Sequence, residues 1–266
     1  MSLDVVERVR RSARYRDVDP VMLGRLAAEE LPRARNVDEA VKRVKRRLHQ
    51  AVGAFRRAGH PPALAAAWTG RLDEPSFRAA CAEAMRGHTS TRERLPHLET
   101  FFADIWAMTG KPRRVLDLGC GLNPLALPWM GIGGAAYEAV DVDERPLATV
   151  RDFLALVGQP HRVTRRDLVA VPVAEPADVA LLLKLVTTLD RQDSTAAARL
   201  LMGVNAEHAV VTFTTRTLGG RSRGMERAYR DRLATVVAEV GRVAEVAEAS
   251  VPGELVFILR MKVPRG

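Results

Sequence analysis

Two glycines one residue apart, closing an apolar run, are the first place where this chain could do chemistry. The string Val115-Leu116-Asp117-Leu118-Gly119-Cys120-Gly121-Leu122-Asn123-Pro124 reads as a buried parallel strand, a tight turn and a helix opened by proline. Glycine lets the main chain approach a ligand closely, and the N–H groups at a helix start are free to bind it. Phosphate loops and dinucleotide folds use the same device, so the pattern alone does not choose the ligand. Two absences narrow the choice. No Gly-Lys-Ser/Thr follows to hold a triphosphate, and the register GCGLNP lacks the third glycine of GxGxxG. About twenty residues on, Tyr137-Glu138-Ala139-Val140-Asp141-Val142-Asp143 ends a second strand in carboxylates, where a ribose diol lies in such folds. Asp141 is the candidate to accept from both ribose hydroxyls; Asp143, further into the turn, is the poorer one.

These two segments resemble motifs I and II of class I S-adenosylmethionine (SAM) methyltransferases. Under that resemblance Gly119 and Gly121 admit the methionine moiety and Asp117 orients its ammonium. Asp167 offers a carboxylate to the adenine amino group and Leu168 an apolar wall to its ring, a turn or helix cap being the other role open to Asp167. Arg94 is a candidate clamp for the SAM carboxylate, although Arg92 and Arg94 would equally suit the surface. Residues 181–186 read Leu-Leu-Leu-Lys-Leu-Val, where many amino-group methyltransferases carry an Asn/Asp-Pro-Pro-aromatic tetrapeptide. Its absence disfavours an exocyclic amine and tolerates a ring nitrogen such as guanine N7, whose in-plane lone pair carries no proton. Such a target needs no general base, only placement. A Cys-bearing tetrapeptide for base C5 methylation is also missing. Lys184 is either a target-positioning residue or a salt-bridged structural lysine. The glycine-hinged stretch 214–229 carries Arg216, Arg221, Arg223 and Arg227, suited to clamp a phosphate backbone around a flipped base.

The elements that must position these residues alternate. Segments 113–119, 135–142, 161–167, 178–186 and 207–216 read as strands, and 124–130, 144–157, 190–204 and 225–240 as helices, which means a parallel sheet covered on both faces. Segments 243–249 and 254–262 follow with no helix between them and read as an antiparallel hairpin. Residues 98–109 form an amphipathic helix with Phe101, Phe102, Ile105 and Trp106. The first ~85 residues read as helical instead. Asn36 and Glu39 form a capping-box pattern for a helix running to about Ala58, with Gly59 as its stop. The expected division is a basic helical domain over 1–85 and a catalytic domain over 86–266.

Charge assigns the first domain a partner. Residues 1–60 hold fifteen Lys/Arg against eight Asp/Glu, most of the chain's net +9. That asymmetry points to a polyanion. Lys42, Arg43, Lys45, Arg46, Arg47, Arg56 and Arg57 face no acid between residues 42 and 57, so their repulsion is uncompensated without RNA, a solvated face being the plainer alternative. The preference for Arg over Lys suits phosphate but equally suits a GC-rich genome. No apolar run approaches the ~18 residues of a membrane span, and no signal-peptide apolar region opens the chain. The two cysteines, Cys81 and Cys120, make neither a zinc site nor a disulfide framework, the histidines show no HxH or HxxxH spacing, and no metal is expected. A cytoplasmic monomer is the expectation.

The strings HTSTRERLP (88–96), VLDLGCGLNPLALPW (115–129), YEAVDVDE (137–144), RDL (166–168), LLLKLVTTLD (181–190) and TFTTRTLGGRSRGMERAY (212–229) resemble the aminoglycoside-resistance 16S rRNA methyltransferases of the N7-guanine group. The resemblance implies a Rossmann-like doubly wound sheet with a terminal hairpin and an all-helical RNA-binding domain. It implies SAM contacts at Arg94, Gly119, Gly121, Asp141, Asp167 and Leu168, and RNA docking by the N-terminal helices. The implied reaction is methylation of N7 of guanosine-1405 in the assembled small ribosomal subunit, giving resistance to 4,6-disubstituted deoxystreptamines such as kanamycin and gentamicin. Open alternatives are a SAM-dependent methyltransferase for a small molecule or for another rRNA position, including N1 of a neighbouring adenine, and an RNA-binding factor with a vestigial SAM fold.

Overall fold

The computed structural model describes residues 2–53, 64–215 and 222–262. Three helices open the chain: α1 (Ser2–Arg10), α2 (Pro20–Glu30) and α3 (Val37–Leu48). Asp19 caps α2 by accepting from Val21 N and Met22 N, with proline in the first turn. Asn36 caps α3 by accepting from Glu39 N at 2.9 Å, while the Glu39 carboxylate reaches back to Arg35 N. Val5, Val9, Met22, Leu23, Leu26, Val41, Val44 and Leu48 bury a core of their own between these helices. From Leu48 α3 loosens into a wider helical turn, His49–Gly53, and the expected end near Ala58 lies outside the described residues. Arg56 and Arg57 lie outside the described residues.

Next come α4 (Leu64–Ala67), α5 (Pro75–Met85), α6 (Thr89–Arg94) and α7 (Leu98–Thr109). Leu64, Phe77, Cys81, Met85, Phe101 and Phe102 pack into the core of the sheet that follows. Its strands and helices run β1 (Arg114–Leu118), α8 (Leu127–Met130), β2 (Ala136–Asp141), α9 (Glu144–Leu156), β3 (His161–Arg165), β4 (Pro176–Leu183), α10 (Val186–Asp190), α11 (Ala196–Gly203), β5 (Asn205–Thr214), α12 (Ser222–Val240), β6 (Val243–Val251) and β7 (Glu254–Met261).

The seven strands order β3-β2-β1-β4-β5-β7-β6, the first five parallel and β7 antiparallel to both its neighbours. The doubly wound sheet and terminal hairpin are as expected. Both faces are buried, and successive β4 residues alternate between them: Val179, Leu181 and Leu183 on one, Ala180 and Leu182 on the other. The helix expected over 190–204 is the shorter α11, because Asp193 accepts from both Thr195 N and Thr195 Oγ1 in a turn ahead of it, while β4 ends at Leu183, short of the expected 186, and α10 follows it. Chain order reverses between β1 and β4, so a crevice opens at the carboxyl ends of those strands, the place where ligands bind in such sheets.

The N-terminal helices are fastened to this sheet. Asp19 N donates to Val142 O at 2.8 Å and Glu144 N to Asp17 O at 3.0 Å, and Arg145 Nε meets Asp17 at 2.7 Å. No helix among the described residues is long and apolar enough to cross a membrane.

Candidate functional site

The crevice at the switch point is a cleft of about 770 Å³, the solvent at its open mouth included. Gly119, Asp141, Asp167, Leu168 and Lys184 line it, together with Leu183, Leu185, His88 and Gln192.

The glycine turn is built as its residue types demand. Gly119 and Gly121 take left-handed backbone with φ 67° and 51°. A Cβ on Gly119 would stand 2.7 Å from Leu185 Cδ1, and one on Gly121 2.8 Å from the His88 ring. Gly119 N and Cys120 N both donate to Val140 O, at 2.8 and 3.0 Å. Gly121 N donates to Asp141 Oδ2 at 2.9 Å. The other Asp141 oxygen accepts from Val142 N at 2.7 Å and Asp143 N at 3.1 Å. Burial pushes the Asp141 carboxyl up to about 6, against the pull of these N–H donors. Asp143, also on the cleft wall, caps α9 by accepting from Arg145 N.

Asp117 and Arg94 lie behind the turn, nearly inaccessible, and neither lines the cleft. Asp117 Oδ2 accepts from Asn123 Nδ2 at 2.9 Å and Tyr137 OH at 2.7 Å. Burial pushes its carboxyl up to about 6, with those two hydrogen bonds opposing. Arg94 donates to Asn123 Oδ1 and to Glu254 at 2.9 Å, and its guanidinium lies 4.5 Å over the Phe101 ring. Neither Asp117 Oδ1 nor Arg94 Nε has a hydrogen-bond partner. An amino-acid zwitterion would answer both, its ammonium the anionic oxygen and its carboxylate the guanidinium. The donor set therefore fits the methionine end of SAM.

Asp167 faces the cleft but is not idle. β3 ends at Arg165, two residues earlier than expected, leaving Asp167 in a loop where its Oδ1 accepts from Val169 N at 3.0 Å. Arg25 of α2 reaches both its oxygens, at 2.7 and 3.3 Å. Asp167 is thus a turn residue whose carboxylate lines the cleft.

Lys184 is the sole non-glycine with positive φ among the described residues, at 59°. Its N–H is shared between Thr212 O and Thr212 Oγ1, and this holds the strained turn. The ammonium lies 2.8 Å from Glu93 and 3.1 Å from Glu254, and donates to Ser90 O. Burial drives Glu254 upward, but the Arg94 and Lys184 cations overcome it and hold the carboxyl below its ordinary value. The Lys184 charge is thus matched by carboxylates, the structural role left open for it, while its neighbours Leu183 and Leu185 give the cleft an apolar wall.

The cationic α3 face is corrected in part. The uncompensated repulsion expected from the local sequence does not arise at Arg43 and Arg47, because α2 presents Glu29 and Glu30 to them. Arg43 Nε lies 2.6 Å from Glu30, and Arg47 pairs with both acids. Lys42 and Arg46 are exposed and Lys45 half-buried, and none of the three makes an ion pair among the described residues. Arg216 and Arg221 lie outside the described residues, and Arg223 falls in the first turn of α12.

Sequence reasoning missed the contribution of the N-terminal helices to this cleft. Met22 of α2 and Ala51 and Val52 after α3 line it, and Arg25 and Arg47 reach across to Asp167 and Gln192. Nothing in the local pattern marks these residues, since the contacts span more than a hundred positions. His88 and Ser90, also on the cleft wall, were within the quoted string HTSTRERLP but were not singled out.

The model of the ribosomal RNA methyltransferase (FmrO) family matches residues 11–258. A 16S rRNA (guanine(1405)-N(7))-methyltransferase of Micromonospora echinospora is 38% identical over 97% of this chain and 96% of its own length. Another of the same description, from Frankia casuarinae, is 41% identical over 96% and 92%. The crystal structure of the 16S rRNA methyltransferase RmtF in complex with S-adenosyl-L-homocysteine superposes with a TM-score of 0.85 at 34% identity, covering 98% of each chain.

Proposed function

The chain belongs to the FmrO family of ribosomal RNA methyltransferases, and on that premise we propose that it methylates N7 of guanosine-1405 in 16S rRNA, in the assembled small subunit. The observation that carries the choice of a ring nitrogen is the end of β4. There Leu183 and Leu185 present an apolar wall, and the one polar side chain in the run is already held by Glu93 and Glu254. An exocyclic amine would need an acceptor at that wall; N7 needs none. When bound, SAM supplies an electrophilic methyl to the in-plane N7 lone pair, the C–S electron pair staying on sulfur, so that no proton has to move. Gly119 and Gly121 keep the turn thin enough for the methionine end, with Asp117 and Arg94 behind it. Asp141 holds the ribose diol, and Asp167 and Leu168 hold the adenine. Leu183 and Leu185 exclude water from the line of transfer, where fixed orientation supplies several kcal/mol.

The same proposal gives Lys42, Lys45 and Arg46 the task of meeting rRNA phosphates, and Arg216, Arg221 and Arg223 that of closing on the target's backbone. The enzyme works in the cytoplasm as a monomer. A methyl and a positive charge on this guanine would obstruct 4,6-disubstituted deoxystreptamines, so resistance to kanamycin and gentamicin follows. The test is borohydride–aniline cleavage of 16S rRNA from cells expressing the chain, read by primer extension. A cleavage stop at guanosine-1405 is expected; an uncleaved site would refute the proposal.

A further inference from the structure

Arg25 stands where the two parts of the molecule meet. It projects from α2 and is largely buried, and all three of its guanidinium nitrogens donate. Nε and one terminal nitrogen take the two oxygens of Asp167. The same terminal nitrogen donates to Gln192 Oε1 at 2.8 Å, and the other meets Glu29 at 3.2 Å. Arg47 of α3 adds a second hold, donating to Gln192 O at 3.0 Å. Asp167 and Gln192 both line the cleft, beside Met22 from α2.

We propose that Arg25 is a positioning residue for the adenine end of the cofactor, acting through Asp167 and Gln192. The assignment rests on the reading of Asp167 as the acceptor for the adenine amino group. A lone carboxylate at the end of a loop would sample several rotamers, and ordering it would cost affinity when the ligand arrives. A guanidinium fork that meets both oxygens removes that freedom beforehand, and Val169 N completes the restraint. A lysine ammonium is a point charge with no second, parallel nitrogen, so it cannot meet both oxygens of Asp167 as a fork. The helices bearing Lys42, Lys45 and Arg46 thereby also set the geometry of the cofactor pocket.

The experiment measures SAM affinity by calorimetry, and SAM KM and kcat on small subunits, for R25Q, R25K, Q192A, D167N and the double variant R25Q/D167N. D167N is expected to weaken SAM about tenfold, from the loss of one charge-assisted hydrogen bond. R25Q should weaken it about fivefold, raising KM while kcat at saturating SAM stays within about twofold, and R25K should restore part of the loss. Q192A keeps Arg25 in place and should show a smaller loss in the same direction, so the proposal remains testable should R25Q fold poorly. The double variant should lose less than the two single losses combined, because most of Arg25's effect passes through that carboxylate and only the Gln192 part is independent of it. Wild-type affinity in R25Q and R25K, with D167N impaired, would overturn the proposal and leave the adenine reading standing. Wild-type affinity in D167N would remove the adenine reading itself, and the proposal with it. Fully additive losses in the double variant would show Arg25 acting by another route and overturn the proposal.

Discussion

Replacing Asp117 with asparagine should stabilise the ligand-free protein while weakening its hold on SAM. The Asp117 carboxyl is raised from 3.8 to about 6 by burial, and one of its oxygens has no partner. At ~1.36 kcal/mol per pH unit, keeping it ionised at pH 7.5 opposes folding by about 3 kcal/mol. The sign follows from proton counting. Between 3.8 and about 6 the folded chain holds a proton that the unfolded chain has lost, so the penalty grows as pH rises through that window and is complete above it. Asparagine can still accept from Asn123 Nδ2 and Tyr137 OH, but it puts a buried NH₂ where the free oxygen stood, giving back about 1 kcal/mol. The net gain is about 2 kcal/mol, and at ~2 °C per kcal/mol for a chain of this size the melting temperature rises by about 4 °C at pH 7.5. At pH 5 the wild-type penalty is about half as large, so the gain should nearly vanish. SAM affinity should fall about tenfold or more, because the ammonium loses its anionic partner. Thermal melts of the ligand-free proteins at the two pH values, with calorimetric SAM titrations, decide the matter. A variant that melts lower than wild type at both pH values and still binds SAM normally would refute the reasoning, since Asp117 would then serve the fold and not the ligand.

Asp141→Ala should weaken SAM at least tenfold, since two charge-assisted ribose hydrogen bonds are lost at ~1.5–3 kcal/mol each before water compensates; wild-type titrations would sink the ribose assignment. Because the Asp141 carboxyl titrates at about 6, wild-type SAM affinity should fall as pH drops below that value, and a flat profile from pH 7.5 to 5 would count against an ionised Asp141 as the acceptor. Lys42→Glu, Lys45→Glu and Arg46→Glu together should abolish subunit binding and leave SAM affinity intact, because none of the three lines the cleft; normal methylation of subunits by this variant would make α3 a solvated face. Arg43 and Arg47 are left out of that set, since their pairs with Glu29 and Glu30 hold α2 to α3. With only 5% aromatic residues the protein has few stacking platforms for reading bases, so it should recognise the shape of the assembled subunit. Labelled methyl should enter intact subunits faster than protein-free 16S rRNA, and equal rates would point to hairpin recognition.

The sequence by itself determined whatever depends on neighbours a few residues apart. The strand and glycine turn at 115–121 were legible because an apolar run and paired glycines are local signals, the proline opening a 3-10 turn over Asn123–Ala126 ahead of α8, and Asp141 followed from the spacing to the next strand. The Asn36 cap, the sheet with its terminal hairpin and the amphipathic helix Leu98–Thr109 were legible for the same reason. What only the tertiary structure decided are the partners of the charges. Glu29 and Glu30 reach Arg43 and Arg47 from a different helix, so a run that reads as purely cationic along the chain is partly neutralised in space. Lys184 meets Glu93 and Glu254, and Asp167 meets Arg25 across 142 positions, pairings that no local pattern encodes. Coulomb interactions and burial depend on distance through space and on the exclusion of water, and both exist only once the chain has folded. For the same reason the raised carboxyls of Asp117 and Asp141 could not be foreseen: their residue types were on view in the sequence, but the low-dielectric surroundings that perturb them are made by the packing of β1, β2 and the helices around them.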